Sequence, residues 1–170
     1  MTLALHPLGA EEIRALYAGR ADWAADHPGL SGVEWPEGDR RVLRYRVAAL
    51  DADPAAAPYL LHVAVLDGRF VGRIGCHEAP DADGRVEIGY SVVETERGRG
   101  VGGRLVDRFL EWLAEHDVSV VEASVSPDNE PSLRLLRRRG FVETGERWDD
   151  EDGRELILSR QLSGIAPGSR

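Results

Sequence analysis

The spacing of turns in the middle of the chain constrains the fold more than any other sequence feature. Two short turn signals, Asp67-Gly68 and DADG at 81–84, separate three β-rich runs, and turns this short connect antiparallel strands. A helix-length segment then precedes a fourth run, and a helical crossover predicts a parallel strand pair. The four runs are 59–66, 70–77, 86–93 and 118–125. One parallel pair in a mostly antiparallel sheet is therefore expected.

The N-terminal third of the chain is less regular. Residues 2–8 are expected to form a first strand, and residues 11–18 a short helix. The segment 41–50 fits a strand or a helix equally well. The segment 51–58, with the sequence DADPAAAP, is interpreted as a loop within the domain. These elements are expected to add one strand and at least one helix to the domain.

Two amphipathic helices and a hairpin complete the second half. The first helix follows a glycine-rich stretch, and the second is expected to be capped by Asp128 or Asn129 and to end at Gly140. A hairpin over 141–162 then encloses the acidic turn DDEDG. We expect an α+β fold, with a single domain over residues 1–162 and a flexible tail over 163–170. The apolar stripe of the first helix, at four-residue spacing, is Val101, Leu105, Phe109 and Leu113.

Composition excludes several classes of function. The 170 residues carry a net charge of −9, which disfavours duplex nucleic acid as a partner and favours cationic ligands. Cys76 is the only cysteine, so an intrachain disulfide cannot form and we expect it to be a core residue. The five histidines show no metal-ligand spacing, and no metal is expected. Without a leader or a membrane-length apolar run, a cytoplasmic protein that binds no membrane is expected.

The glycine-rich stretch ERGRGVGG, residues 96–103, is the first chemical signal. It lies between a strand and a helix, where free N–H groups and the helix dipole suit a phosphate. A P-loop is excluded because the chain contains no lysine. Gly98, Gly100 and Gly103 fit the dinucleotide pattern G-x-G-x-x-G, although antiparallel hairpins come first here. A glycine-rich turn with solvated arginines is the remaining alternative.

A third phosphate-site interpretation uses more of the sequence. The run Arg97-Gly98-Arg99-Gly100-Val101-Gly102 resembles the R/Q-x-x-G-x-G/A signature of the GNAT superfamily of N-acetyltransferases. The strand before it reads Val86-Glu87-Ile88-Gly89-Tyr90, and a downstream helix carries Asn129-x-x-Ser132 before Gly140-Phe141. The resemblance covers about residues 60 to 160. The N-x-x-S-x-x-L-L form of this helix motif, with Glu-Ile-Gly-Tyr upstream, resembles most the branch of the family that acetylates the N-terminal amines of ribosomal proteins.

The resemblance implies a GNAT-like mixed sheet with helices on both faces and its parallel strand pair at the acetyl-CoA site. Acetyl-CoA would be a co-substrate, with its pyrophosphate on the loop amides and its pantetheine arm along the strand. Asn129 would hydrogen-bond the arm from the other side. The implied cofactor-binding residues are Val92, Val93, Arg97, Gly98, Arg99, Gly100, Val101, Gly102, Gly103, Asn129 and Ser132.

The same resemblance implies direct transfer to an amine, with a strand N–H near Val92 holding the oxyanion. Glu87 is the candidate base, because a carboxylate in a partly buried cleft has a raised pKa; a solvent-facing strand residue is the alternative. Many relatives use a tyrosine to protonate the departing thiolate, but Leu136 stands at that position. Ser132 is then the candidate acid, with a capping role for Ser132 and proton donation by solvent as alternatives.

We therefore expect an acetyl-CoA-dependent N-acetyltransferase acting on a small-molecule amine or a peptide N-terminus. A non-catalytic acetyl-CoA sensor and an NAD-dependent oxidoreductase are the alternatives, and homodimerisation is left open. The acidic run at 149–152 borders the acceptor site or is a solvated turn. Trp23, Trp35 and Trp148 line an acceptor pocket or lie in the core.

Overall fold

The computed structural model describes residues 2–20, 22–23, 27, 30 and 35–162. The strands are β1 (Leu3–Pro7), β2 (His62–Leu66), β3 (Arg69–Cys76), β4 (Arg85–Val92), β5 (Val120–Val125), β6 (Val142–Asp149) and β7 (Gly153–Gln161). The helices are α1 (Ala10–Tyr17), α2 (Arg40–Ala52), α3 (Ala57–Leu60), α4 (Val101–Ala114) and α5 (Glu130–Arg137). Single 3-10 turns lie at Glu37–Asp39, Pro54–Ala56 and Glu94–Glu96. The expected tail over 163–170 lies outside the described residues.

The seven strands form one sheet in the order β1-β2-β3-β4-β5-β7-β6. Neighbouring strands are antiparallel except β4 and β5, which run parallel with Glu87 opposite Glu122. The helical crossover through α4 requires this parallel pair, because a chain that returns through a helix re-enters the sheet in the same direction. The expected fold class is confirmed.

Helices cover both faces of the sheet, as expected. Along β2, Ala64 and Leu66 pack into a core shared with α4 and α5. The alternate residues Val63 and Val65 pack into a second core shared with α1, α2 and α3. The side-chain period of two thus buries β2 on both faces. The α4 stripe is fully enclosed in the first core at Val101, Leu105, Phe109 and Leu113.

The structure decides the open assignment of one segment and corrects the expected assignment of another. The ambiguous segment 41–50 is helical and belongs to α2. The loop expected over 51–58 is wrong, because α2 continues to Ala52 and two short helical turns follow. The Asp53 carboxylate accepts a hydrogen bond from the backbone N–H of Ala55 at 3.0 Å, and Pro54 begins the turn with a preset φ. Local capping therefore organises a segment whose composition resembles a loop.

None of the helices within the described ranges is long and apolar enough to cross a membrane.

Candidate functional site

The parallel strands β4 and β5 separate soon after they begin to pair. Their register runs only from Arg85 to Glu87 on β4, against Val120 to Glu122 on β5. Beyond this point the strands diverge around a cavity of about 290 Å³, which we call the strand opening. It is lined by Ile88, Gly89, Tyr90, Ala123, Ser124, Val125, Ser126, Asn129, Ser132, Asp152 and Glu155.

The backbone of β4 presents hydrogen-bonding groups to the strand opening. The N–H of Val93 donates to the Val71 carbonyl at 3.0 Å, and that of His77 donates to the Glu87 carbonyl at 2.8 Å. The backbone N–H and C=O groups of odd-numbered β4 residues therefore point to β3. Because these groups alternate along a strand, the N–H groups of Ile88, Tyr90 and Val92 point to the opposite edge of β4, on the side of β5. The expected strand contact near Val92 and Val93 divides accordingly: the Val92 N–H points away from β3, whereas the Val93 N–H is bonded to the Val71 carbonyl.

The glycine-rich loop turns the chain directly into α4. Gly98 and Gly100 have φ of 72° and 77°, in the left-handed region that glycine adopts without strain. Gly100 is the N-cap residue, and no side chain caps the helix. The first N–H groups of α4, from Val101 onward, have no partner within the helix. The loop therefore has the geometry of an anion-binding helix start.

Close packing between α4 and α5 accounts for the glycines at positions 102 and 103. A Cβ at Gly103 would lie 2.2 Å from Arg139 Nη2, and one at Gly102 would lie 3.1 Å from Leu135 Cδ1. The Arg139 guanidinium also donates to the Gly103 carbonyl and to both oxygens of Asp107. These two glycines let α4 and α5 approach closely beside the loop.

The two loop arginines differ in their contacts. Arg97 turns back and donates through Nε to the Val92 carbonyl at 3.0 Å, which fixes the loop onto the end of β4. Arg99 is largely exposed and lies 3.6 Å from the buried Glu96 carboxylate. Arg99 is thus the more available cation beside the helix start.

The start of α5 brings two hydroxyl groups together in the strand opening. The Asn129 side-chain oxygen accepts a hydrogen bond from the Ser132 N–H at 3.2 Å, so Asn129 is the cap of the helix. The Ser132 hydroxyl lies 2.6 Å from the Tyr90 hydroxyl. Burial raises the pKa of Tyr90, which keeps its proton at neutral pH. Sequence reasoning quoted Tyr90 without assigning it a role.

Leu136 is fully buried in the core shared by α4 and α5, and it offers no hydroxyl to the site.

A second cavity, of about 520 Å³, adjoins the strand opening, and we call it the charged cleft. The two cavities share Ile88, Gly89, Ser124, Asp152 and Glu155. Its walls come from α2, from β4 and from the β6–β7 hairpin. The cleft and the opening therefore form one continuous site along β4.

Glu87 faces the charged cleft, and Arg147 on β6 binds it through both carboxylate oxygens, at 3.0 and 2.8 Å. Burial by itself would raise the pKa of Glu87, but the Arg147 hydrogen bonds and the nearby His77 hold the pKa below its usual value. The expectation of a raised pKa is wrong. The cause is Arg147, 60 residues away, which no sequence pattern links to Glu87.

His77 lies beside this ion pair, with Nδ1 3.7 Å from Glu87 Oε1. Burial of the ring against the cleft wall and the charge of Arg46 lower the pKa of His77, so its imidazole is neutral at pH 7. A neutral imidazole can donate or accept a proton. Sequence reasoning did not include His77 or Arg147 in the site.

The acidic turn is anchored on α2 rather than free in solvent. Asp152 accepts hydrogen bonds from Arg41 at 2.8 and 2.9 Å, and Glu151 binds Arg44 and Tyr45. Asp149 and Asp152 also line the charged cleft. The turn therefore borders the charged cleft, and its place at the acceptor site stays a prediction.

The tryptophans divide between core and surface. Trp23 is buried and packs edge-on against Trp35, with ring centroids 6.2 Å apart, in the core of α1 and α2. Trp148 is 75% exposed near the end of β6. The acceptor-pocket interpretation is not supported for Trp23 and Trp35, because their rings fill the core.

Comparison with known proteins agrees with this geometry. The sequence signature described as "Acetyltransferase (GNAT) family" matches residues 16–141. An L-2,4-diaminobutyric acid acetyltransferase of Nocardia farcinica is 39% identical over 83 residues, which are 46% of this chain and 43% of that protein. A mycothiol acetyltransferase of Clavibacter sepedonicus is 34% identical over 134 residues, 75% of this chain and 42% of that protein. The chain thus spans less than half the length of these two curated relatives.

Among solved structures, RimL, described as a ribosomal alpha-N-protein acetyltransferase in complex with coenzyme A, has a TM-score of 0.67. It shares 16% identity, and the match covers 95% of each chain. At this identity the likeness is one of fold.

Proposed function

The chain belongs to the GNAT family of acetyltransferases, and on that premise we propose that it transfers an acetyl group from acetyl-CoA to an amine. The observation that carries the proposal is the continuity of the site. An anion-binding helix start, an open strand edge and a cleft with a carboxylate follow one another along β4. A pyrophosphate, a pantetheine arm and an amine would need these features in this order.

The residues present fit acetyl-CoA. The N–H groups of Val101 to Gly103 and the cationic Arg99 would hold the pyrophosphate, and the positive φ values of Gly98 and Gly100 shape the loop. The free N–H of Val92 would donate to the pantetheine arm or to the developing oxyanion. The side-chain oxygen of Asn129 is used as the helix cap, so its amide N–H₂ group would donate to the arm.

Bound acetyl-CoA supplies a thioester carbon that the amine nitrogen attacks, forming the N–C bond as the C–S bond breaks. Glu87 would take the proton that the amine loses, directly or through a water. Because Arg147 keeps Glu87 ionised, this carboxylate is ready to accept a proton at pH 7, although its low basicity favours amines of low pKa. His77 is positioned to relay the same proton.

The thiolate must receive a proton as it leaves. The Ser132 hydroxyl would donate it, and Tyr90 would replace that proton through the 2.6 Å contact between their oxygens. The hydroxyl groups of Ser132 and Tyr90 would thus take the place of the tyrosine that many relatives carry at the position of Leu136. The capping alternative for Ser132 loses support, because Asn129 is the cap.

Two other functions remain as alternatives with different weight. The oxidoreductase interpretation requires a mostly parallel sheet, whereas the described strands form one parallel pair. In addition, the close packing of Arg139 explains why residue 103 is a glycine without any dinucleotide. A non-catalytic acetyl-CoA sensor would share the strand opening but would not need Glu87 in the cleft.

The test is a thermal-unfolding shift with acetyl-CoA, with NADH and ATP as controls, followed by thiol release with a panel of amines. At a hundred times its Kd, a ligand adds about 2.7 kcal/mol of stability, a rise of roughly 5–10 °C for this size. A rise with acetyl-CoA alone, together with amine-dependent thiol release, is the expected result. Binding without release for any amine would favour the sensor, and no rise would overturn the proposal.

A further inference from the structure

One buried side chain of the charged cleft forms no ion pair with the residues that the structure describes. Arg46 on α2 is only 4% exposed, and its Nε atom is fully enclosed without a hydrogen-bond partner. Within the described residues, its guanidinium takes part in none of the ion pairs. An arginine this deeply buried is normally paired, because burying an uncompensated charge costs several kcal/mol. Among the described residues, Arg46 therefore has no counter-ion in direct contact; the Glu87 carboxylate acts on it from a distance but is itself bound by Arg147.

The position of Arg46 on its helix is also unusual. The buried face of α2 consists of Leu43, Arg46 and Leu50, at the spacing of an apolar stripe. The guanidinium thus replaces the hydrocarbon side chain that packing alone would favour. Burial and the nearby Arg73 lower the pKa of Arg46 to about 10, so it remains charged at pH 7.

The carboxylates that face the cleft or pair with the neighbouring Arg73 are bound by other arginines. Asp39 forms a bidentate pair with Arg73, at 2.8 Å for both contacts. Glu87 is bound by Arg147, and Asp152 by Arg41. Arg41 and Arg147, the other arginines that line the cleft, therefore already have counter-ions, whereas Arg46 has none among residues 2–20, 22–23, 27, 30 and 35–162.

Arg46 borders the cleft where the cleft meets the strand opening. Its Nη2 lies 3.9 Å from the position that a Cβ at Gly89 would occupy, and His77 Nε2 lies 3.2 Å from the same point. Gly89 lines both cavities. Because Gly89 has no side chain, a space is left between the Arg46 guanidinium and the His77 imidazole. This space adjoins the edge of β4 along which the thioester would lie.

We propose that Arg46 binds a carboxylate of the acceptor, so that the acceptor is a small amino acid whose amine lies within a few bonds of that carboxylate. The inference rests on the proposed function and names its substrate class. The acceptor carboxylate would supply the missing counter-ion through charge-assisted hydrogen bonds. Its amine would then point along β4 toward Glu87 and the strand opening.

The experiment compares matched amines with and without the carboxylate. Diaminobutyrate is paired with 1,3-diaminopropane, lysine with cadaverine, and alanine with ethylamine. The measurements are kcat/KM from thiol release and, without acetyl-CoA, the thermal shift that each compound causes. We expect amino acids to be preferred at least tenfold and to stabilise the protein when their amines do not.

The variant Arg46→Met tests the assignment, with Arg41→Met as a matched control from the same cleft. Arg46→Met should reduce the amino-acid preference by about tenfold to a hundredfold. It should also raise the unfolding midpoint without ligand, since it removes an unpaired buried charge. Arg41→Met should leave the preference within about twofold, because Arg41 is already paired with Asp152.

The outcomes separate the two proposals. Thiol release with decarboxylated amines at rates equal to those of the amino acids would overturn the carboxylate assignment and leave the acetyltransferase proposal intact. Equal loss of preference in both variants would also overturn it, by showing a general charge effect. Failure of acetyl-CoA to bind or to be consumed would count against the acetyltransferase, whereas a missing thermal shift with every amino acid would overturn the role of Arg46.

Discussion

The strand opening and the charged cleft adjoin along β4 but are built in different ways. The opening and the loop beside it rely mainly on short-range contacts: Asn129 caps the N–H three residues later, and Arg97 reaches back five residues to Val92. The Tyr90–Ser132 contact, over 42 residues, is the exception. The cleft uses long-range side-chain pairs, with 60 residues between Glu87 and Arg147 and 111 between Arg41 and Asp152. Sequence motifs located Asn129, Ser132 and Glu87, but they did not reveal the distant partners Tyr90 and Arg147.

This difference has a functional counterpart under the proposed reaction. A cofactor that is always the same can be held by backbone groups and glycines, which carry little side-chain information. An acceptor is distinguished by charge and shape, and these come from side chains on α2, β4 and β6. Substitutions should therefore divide cleanly between cofactor affinity and acceptor turnover.

The largest expected effect lies in the cleft. Glu87→Gln should lower kcat by about 10²–10⁴, because it removes the proton acceptor while keeping the shape of the side chain. Binding of acetyl-CoA, measured by thermal shift, should not change. The matched control is Glu155→Gln, which also removes a carboxylate bound to Arg147 but leaves Glu87 in place. Equal loss in the two variants would remove Glu87 from the role of base.

The pH dependence sharpens the same test. Because the folded-state pKa of Glu87 lies below its usual value, its ion pair stabilises the fold above the ordinary carboxyl pKa. That contribution is lost only as pH falls through the lowered value. We therefore expect the wild-type rate near neutrality to follow deprotonation of the amine and not of Glu87. A titration of Glu87 near pH 7 would contradict this assignment.

A smaller effect is expected where the two regions meet. Ser132→Ala and Tyr90→Phe should each lower kcat by about tenfold to a hundredfold, since each interrupts the proposed proton path to the thiolate. The double variant should lose little more than Ser132→Ala, because both hydroxyl groups act in one path. Additive losses would show two independent roles.

The smallest effect is expected in the loop. Gly98→Ala places a Cβ at φ of 72°, which costs about 1 kcal/mol although no atom obstructs it, and it should lower the midpoint by roughly 2–4 °C. It should weaken acetyl-CoA binding while leaving the KM for the amine unchanged. Gly38→Ala is the control, because it also meets open space without a positive φ. Equal effects of the two substitutions on acetyl-CoA binding would remove the loop from the cofactor site.

Much of the fold followed from patterns that act over a few residues. The turn at Asp67-Gly68, the stripe on α4 and the cap at Asn129 each depend on neighbours close in the chain, and each was predicted. The segment 51–58 was misjudged, since proline and aspartate suit both loops and helix starts. The pKa of Glu87 was misjudged because its counter-ion lies on another strand.

The sequence by itself determined the parallel strand pair, the helix start after the glycines and the family resemblance, since these depend on backbone geometry and local spacing. Only the tertiary structure decided which charges meet. It placed Arg147 on Glu87, brought Tyr90 to Ser132 and buried Arg46 with its Nε atom unbonded and no ion pair to the described part of the chain. Such pairings depend on how distant elements pack, and the energy of a charge depends on what surrounds it in space.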